Sequence, residues 1–124
     1  MKQSSFVLVQ DANDCVLFLR RGPTDPWMPG RWNFPGGGRN GAESHTQTAV
    51  RELNEEAGIS APPNRLSYLG KFKTGRIYTV HLYGLRLRTR PNVFSRDGEH
   101  DAFVWASLTD PPRPLVPWME RLVP

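Results

Sequence analysis

Short apolar runs separated by polar, glycine or proline stretches recur along this chain, and in one stretch the spacing becomes helical. Phe6 to Val9 and Cys15 to Leu19 are short apolar runs around the polar stretch Asp11-Ala12-Asn13-Asp14, which predicts two strands joined by a turn. Pro23, Pro26 and Pro29 break any periodicity between Gly22 and Gly30, so that stretch reads as a loop. Arg31-Trp32-Asn33-Phe34 reads as a short strand leading into a glycine loop at Gly36-Gly37-Gly38. From Ser44 the period becomes helical. Ala49, Val50, Leu53 and Ala57 share one arc at about 100° per residue, which predicts a face turned to the core. Ser44 followed by Gln47 is a capping box, and Gly58 stands where a left-handed residue ends a helix, so the helix should run from Ser44 to Ala57. Beyond Pro62 and Pro63, Leu66 to Phe72 and Ile77 to Leu87 read as strands, with Gly84 a candidate bulge. Phe103-Val104-Trp105 predicts one more. Prolines at 111, 112, 114 and 117 then leave Trp118 to Leu122 with room for one helical turn. Strands, a helix, further strands and a terminal element make an α+β layered arrangement.

Composition narrows the setting. A chain of 124 residues suits one domain, 1–124, with a single core region. Sixteen Lys and Arg against 12 Asp and Glu give a formal charge of +4, which favours an anionic small molecule or RNA as partner. That charge is spread along the chain, so nucleic acid is the less favoured of the two. The single cysteine, Cys15, excludes an internal disulfide and a multi-cysteine zinc site, and its strand pattern predicts a buried structural thiol. No apolar run has the length of a membrane span or the form of a signal peptide, so a cytoplasmic protein without a membrane partner is expected.

The chemistry lies on the predicted helix. Glu52, Glu55 and Glu56 are three and four positions apart and fall on one side of it, next to the apolar arc. Carboxylates that close repel one another and bind protons more tightly when unpaired. A hard divalent cation with oxygen ligands resolves the conflict, and Mg²⁺ is the usual choice beside phosphates. Arg51, four residues before Glu55, is placed to pair with a carboxylate and fix its direction. An acidic helix face is more often simply solvated. Here, however, Phe34-Pro35-Gly36-Gly37-Gly38 precedes it, and three glycines permit positive φ and close backbone approach.

Gly37, Glu43, Arg51-Glu52-Leu53, Glu55-Glu56 and Gly58-Ile59 occupy nine constrained positions. This stretch resembles the signature box of the MutT-like Nudix hydrolases, with every defining position filled. The resemblance implies an α/β/α sandwich with a mixed sheet and a divalent cofactor, Mg²⁺ or Mn²⁺. It also implies metal ligands at Glu52, Glu55, Glu56 and the Gly36 carbonyl, and Arg51 as the residue that orients a catalytic carboxylate. Glu43 is left open between a metal contact through water and a partner of the helix dipole. Glu99, on the stretch before Trp105, is the candidate for an additional carboxylate that binds metal or abstracts a proton. Glu52 is preferred as base because a helix holds a carboxylate within the tolerance that proton abstraction needs.

Arg20, Arg21, Arg31 and Arg39 flank the expected site, and guanidinium forks match phosphate oxygens; Arg20 and Arg31 head this set. Trp27, Trp32, Phe34, Tyr78, Tyr83 and Trp118 are able to stack on a base, although aromatics in strands more often belong to the core; by resemblance, Phe34 and Tyr83 line the substrate cleft. The activity implied is hydrolysis of a nucleoside diphosphate linked to another group. A nucleoside triphosphate, damaged or non-standard ones included, is the first choice, giving the monophosphate and pyrophosphate. Dinucleoside polyphosphates, nucleotide sugars and RNA 5′ ends stay open, as does a non-catalytic nucleotide-sensing module. Monomer and homodimer are both compatible with the sequence.

Overall fold

The computed structural model describes residues 2–75 and 78–123. Ile77, expected to open the long strand, lies outside the described residues. The strands are β1 (Lys2–Gln10), β2 (Val16–Arg21), β3 (Trp32–Asn33), β4 (Gly36–Gly38), β5 (Ser67–Thr74), β6 (Tyr78–Arg86) and β7 (His100–Ala106). The helices are α1 (His45–Ala57) and α2 (Pro117–Glu120), with a 3₁₀ turn at Pro63–Arg65. No described helix is long and apolar enough to cross a membrane.

The strand order is β3-β2-β1-β6-β5, with β4 added on β1 and β7 on β2. β1 and β6 run parallel from Lys2↔Tyr78 to Gln10↔Arg86, and the other pairs are antiparallel, so the sheet is mixed. β1 meets β2 only at Gln10↔Val16. Toward its other end β1 pairs instead with β4, from Ser4↔Gly38 to Phe6↔Gly36. The two halves of the sheet therefore part company where the glycines lie.

The period-two alternation divides the apolar residues between two faces. Val7, Val9, Leu17, Leu19, Tyr83 and Leu85 pack with Ala49, Leu53 and Ala57 of α1. Phe18, Val80, Leu82 and Phe34 pack on the opposite face with Trp118 and Met119 of α2. Helices thus cover both faces, and the α+β sandwich expected from the sequence is what forms.

Four local expectations change. Gly36–Gly38 is a strand, not a loop, and none of its three glycines adopts a positive φ. What the site needs there is the missing Cβ: one at Gly36 would strike the Phe6 ring, and one at Gly37 would lie 2.8 Å from the Glu52 carboxylate. The bulge falls on β5 between Tyr68 and Gly70, not on β6, and Gly84 makes room for the Leu69 side chain. Val50 is only partly buried, beside Asn54 and Pro62 on the flank of α1, because its arc sits just past the sheet contact. Cys15 is half-buried in the turn before β2, where its N–H donates to Asp11 Oδ1 at 2.9 Å.

Candidate active site

The helix that carries the box is fixed at both ends by local chemistry. Ser44 Oγ accepts the Gln47 N–H at 3.1 Å, and Gln47 Oε1 accepts the Ser44 N–H at 2.8 Å. At the far end Gly58, at φ 69°, donates to Asn54 O at 2.9 Å. With its apolar side on the sheet, α1 turns Glu52 and Glu56 toward β4. Glu56 is 3% exposed, and its Oε1 accepts the Gly36 N–H at 2.7 Å. Burial pushes its carboxyl well above the usual range, against the pull of that hydrogen bond, and the charges of Glu52, Asp97 and Glu99 push the same way. His100 Nδ1 lies 3.8 Å from Glu56 Oε2 but offers no positive charge at neutral pH, because burial lowers the imidazole to about 4.

Arg51 acts as a clamp. Its Nε donates to Glu43 Oε2 at 2.8 Å, its Nη1 to Glu52 Oε1 at 2.6 Å and Glu55 Oε2 at 3.1 Å, and its Nη2 to the Gly38 carbonyl at 2.9 Å. Glu52 is thereby aimed at β4; burial raises its carboxyl and Arg51 opposes the rise. Glu43 also accepts from the Asn40 N–H and Thr48 Oγ1, at 2.8 and 3.0 Å, so it anchors the clamp to the start of the helix. These partners, Arg51 foremost, hold the Glu43 carboxyl at about 2. A depressed carboxyl adds stability that is complete above its unfolded value of about 4.5 and is lost as pH falls toward 2. Glu43→Gln should therefore lower the melting temperature at neutral pH and flatten its decline between those two values. An unchanged acid limb in thermal melts would contradict the clamp.

The remaining carboxylates arrive from far along the chain. Phe94 N–H donates to Ala57 O at 3.1 Å and Arg96 N–H to Glu55 O at 2.8 Å, docking the segment before β7 on the end of α1. Asp97 Oδ1 then accepts from Ser95 Oγ and from the Glu99 N–H, at 2.8 and 3.0 Å, which sets Asp97 and Glu99 side by side. Ligand atoms of Glu56, Asp97 and Glu99 lie within 4.8 Å of one another. That spacing is close enough for the buried Glu56 and the exposed Asp97 and Glu99 to share a hard divalent cation. Burial raises the Glu99 carboxyl, and the charge of Asp97 adds to the effect.

Beside these groups a cleft of about 790 Å³ opens along Gly36–Gly38, with Glu52, Glu56 and Glu99 at one side. Lys2 and Arg39 also line it and supply positive charge, whereas Arg21 lines it with its guanidinium paired to Asp25 at 2.7 Å. Other expected residues are elsewhere. Glu55 pairs with Arg51 on the outer flank, its side chain 44% exposed, and does not line this cleft. Arg20 pairs with Asp101 at 2.8 Å, and Arg31 donates to the Leu115 carbonyl at 2.9 Å, so both are engaged away from it. Phe34 is fully buried, 5.5 Å from Phe18 and 6.1 Å from Trp118 between ring centroids, because its place after β3 turns it into the α2-side core. Tyr83 shares the α1-side face with Leu85, and its hydroxyl meets Thr46 Oγ1 at 3.0 Å. Neither ring lines the cleft; Trp27 and Tyr78 do. Asp97 was not anticipated, although an Asp-Gly pair two residues before Glu99 is a turn signal visible in the sequence.

The chain matches the NUDIX domain over residues 2–124 and belongs to that family. Over 110 residues it is 32% identical to the CTP pyrophosphohydrolase of Escherichia coli, covering 86% of this chain and 78% of that protein. It is 35% identical over 97 residues to an octanoyltransferase of Myxococcus xanthus, covering 75% of this chain but only 26% of that protein, so it spans about a quarter of that relative. The crystal structure of a MutT NUDIX hydrolase from Burkholderia pseudomallei superposes with a TM-score of 0.79 at 23% identity, over 97% of this chain and 93% of that one, which shows a shared fold.

Proposed function

We propose that residues 1–124 form one domain that hydrolyses a nucleoside triphosphate to the monophosphate and pyrophosphate with the help of a divalent cation, Mg²⁺ or Mn²⁺. The observation that carries this reading is Glu56: a carboxyl buried at 3% exposure, paired with no Lys or Arg among the described residues, beside Asp97 and Glu99 and against the glycine strand. Similarity to the CTP pyrophosphohydrolase supports a nucleotide substrate. Glu56, Asp97 and Glu99 would hold the cation, which supplies Lewis-acid stabilisation of charge on the phosphoryl oxygens. Lys2 and Arg39 draw the polyphosphate into the cleft, and the Cβ-free strand lets it approach the backbone. Glu52, held by Arg51 at 2.6 Å, takes the proton of the attacking water, and Glu99 supports it from the opposite segment. The test is a hydrolysis screen of purified protein against nucleoside triphosphates and other nucleoside diphosphate derivatives, each with Mg²⁺, Mn²⁺ or excess chelator. Turnover should vanish with chelator and return with either metal. Hydrolysis that persists in chelator would refute the reading.

Metal binding should also be visible without substrate. In the metal-free protein a raised Glu56 means that stability declines as pH rises above about 4.5 toward its folded value. A bound cation favours the ionised form and offsets that decline, so excess Mg²⁺ should raise the melting temperature more at pH 8 than at pH 5. An equal shift at both values would show that Glu56 is not a ligand.

A further inference from the structure

His100 is a buried polar side chain that the chemistry above leaves unused. The side chain is 3% exposed, and neither ring nitrogen has a hydrogen-bond partner among the described residues. Buried polar atoms in folded proteins are nearly always paired, because an unpaired one gives up its water for nothing. Nδ1 lies 3.8 Å from Glu56 Oε2, about 1 Å beyond hydrogen-bond length.

An irregularity in the sheet brings the ring there. Residues opposite one another on an antiparallel ladder point to the same face. Phe18↔Val104 belongs to the α2 side, and Leu17↔Trp105 to the α1 side. Strict alternation along β7 would send His100 the way of Val104. Instead the register slips between Arg20 and Arg21, so His100 stands opposite Arg21 and turns to the α1 side. Bulges re-aim side chains in this way. Just before it, the Gly22 N–H donates to the Glu99 carbonyl at 2.9 Å and fixes the backbone. His100 and Glu56 also border a second cavity of about 170 Å³, together with Leu19, Phe94 and Phe103, which gives the ring room to close the gap to Oε2.

We infer that His100 is a positioning residue for the metal site, whose Nδ1–H donates to Glu56 Oε2 and aims that oxygen while the Gly36 N–H aims Oε1. The inference rests on the metal-dependent reading above and deepens it. An ionised carboxylate only accepts, and each of its oxygens has a lone pair for a donor besides the one it gives a cation. Lys or Arg in this place would compete with the cation for the charge of Glu56. A neutral imidazole N–H orients the carboxylate without cancelling its charge, and burial keeps this ring neutral. His100 therefore acts through Glu56 and not on the substrate.

The experiment compares wild type with His100→Phe, His100→Leu and His100→Asn in the absence of nucleotide. Calorimetry gives the affinity for Mn²⁺, and thermal melts in chelator give the stability of the metal-free protein. His100→Phe and His100→Leu have no donor and should bind Mn²⁺ about 10- to 100-fold more weakly. His100→Phe should nevertheless melt no lower than wild type in chelator, since it leaves no buried nitrogen unpaired. A merely structural role would give the reverse, a lower melting temperature with unchanged affinity. His100→Asn, whose carboxamide nitrogen falls near the place of Nδ1, should recover most of the affinity. Apolar variants that bind Mn²⁺ as wild type does, or a His100→Asn as weak as they are, would overturn the inference. Failure of both apolar variants to fold in chelator would overturn it too, by making His100 a core residue. Wild type that binds no Mn²⁺ would sink it together with the metal-dependent reading. Wild type that binds Mn²⁺ but cleaves no triphosphate would count against the hydrolytic reading alone and, with the affinities ordered as above, support His100 as the positioning residue.

Discussion

Glu56→Gln should lower turnover by at least about 10²-fold while leaving the fold intact. Glutamine has nearly the same shape and retains an oxygen for the Gly36 N–H, so the 2.7 Å contact that ties α1 to β4 has a replacement. What is lost is the negative charge, and with it the pull on a cation shared with Asp97 and Glu99. Burial already disfavours that charge, so the metal-free variant should melt no lower than wild type, whereas its response to Mg²⁺ should shrink. Glu55→Gln makes the comparison. Glu55 faces Arg51 on the outer flank, so its substitution should cost much less than that of Glu56. Steady-state rates at saturating Mg²⁺ decide the matter, and a loss at Glu55 as large as that at Glu56 would show that the flank carboxylate also serves the metal.

Phe34→Ala should destabilise the protein by about 3–5 kcal/mol, the cost of removing a fully buried aromatic ring from a packed core. The ring packs between Phe18 and Trp118, and its removal leaves a void that α2 and the strands cannot close without moving. KM of the protein that remains folded at low temperature should stay near wild type, because Phe34 does not line the cleft. Chemical denaturation combined with low-temperature kinetics separates the two roles. A raised KM with unchanged stability would return Phe34 to the substrate side.

The two substitutions mark where sequence reading succeeds and where it stops. The helix, its capping box and its left-handed terminus were legible because each depends on residues within four positions of one another: Ser44 with Gln47, and Gly58 with Asn54. The same holds for Arg51 with Glu55 and Glu52. For Phe34 and Tyr83 the residue type could be read but not its neighbours. Strand alternation assigns a face, and which face borders a cleft depends on where β1 and β2 separate. Arg20 and Arg31 are engaged away from the cleft for a related reason, since their partners, Asp101 and Leu115, are more than eighty positions away.

By itself the sequence determined the α+β order of elements, the helix that carries Glu52, Glu55 and Glu56, and the run of glycines ahead of it. Those features follow from backbone preferences and from the 3.6-residue turn, which act over one or two turns of chain. Only the tertiary structure decided which acids converge. Glu55 and Glu56 are adjacent in sequence, yet one meets solvent and Arg51, while the other is buried beside Asp97 and Glu99. That selection is made by the hydrogen bonds from Phe94 and Arg96 to the last turn of α1 and by the parting of the sheet at β4. Both are contacts between distant segments, whose strength comes from burial and docking geometry that no local spacing encodes.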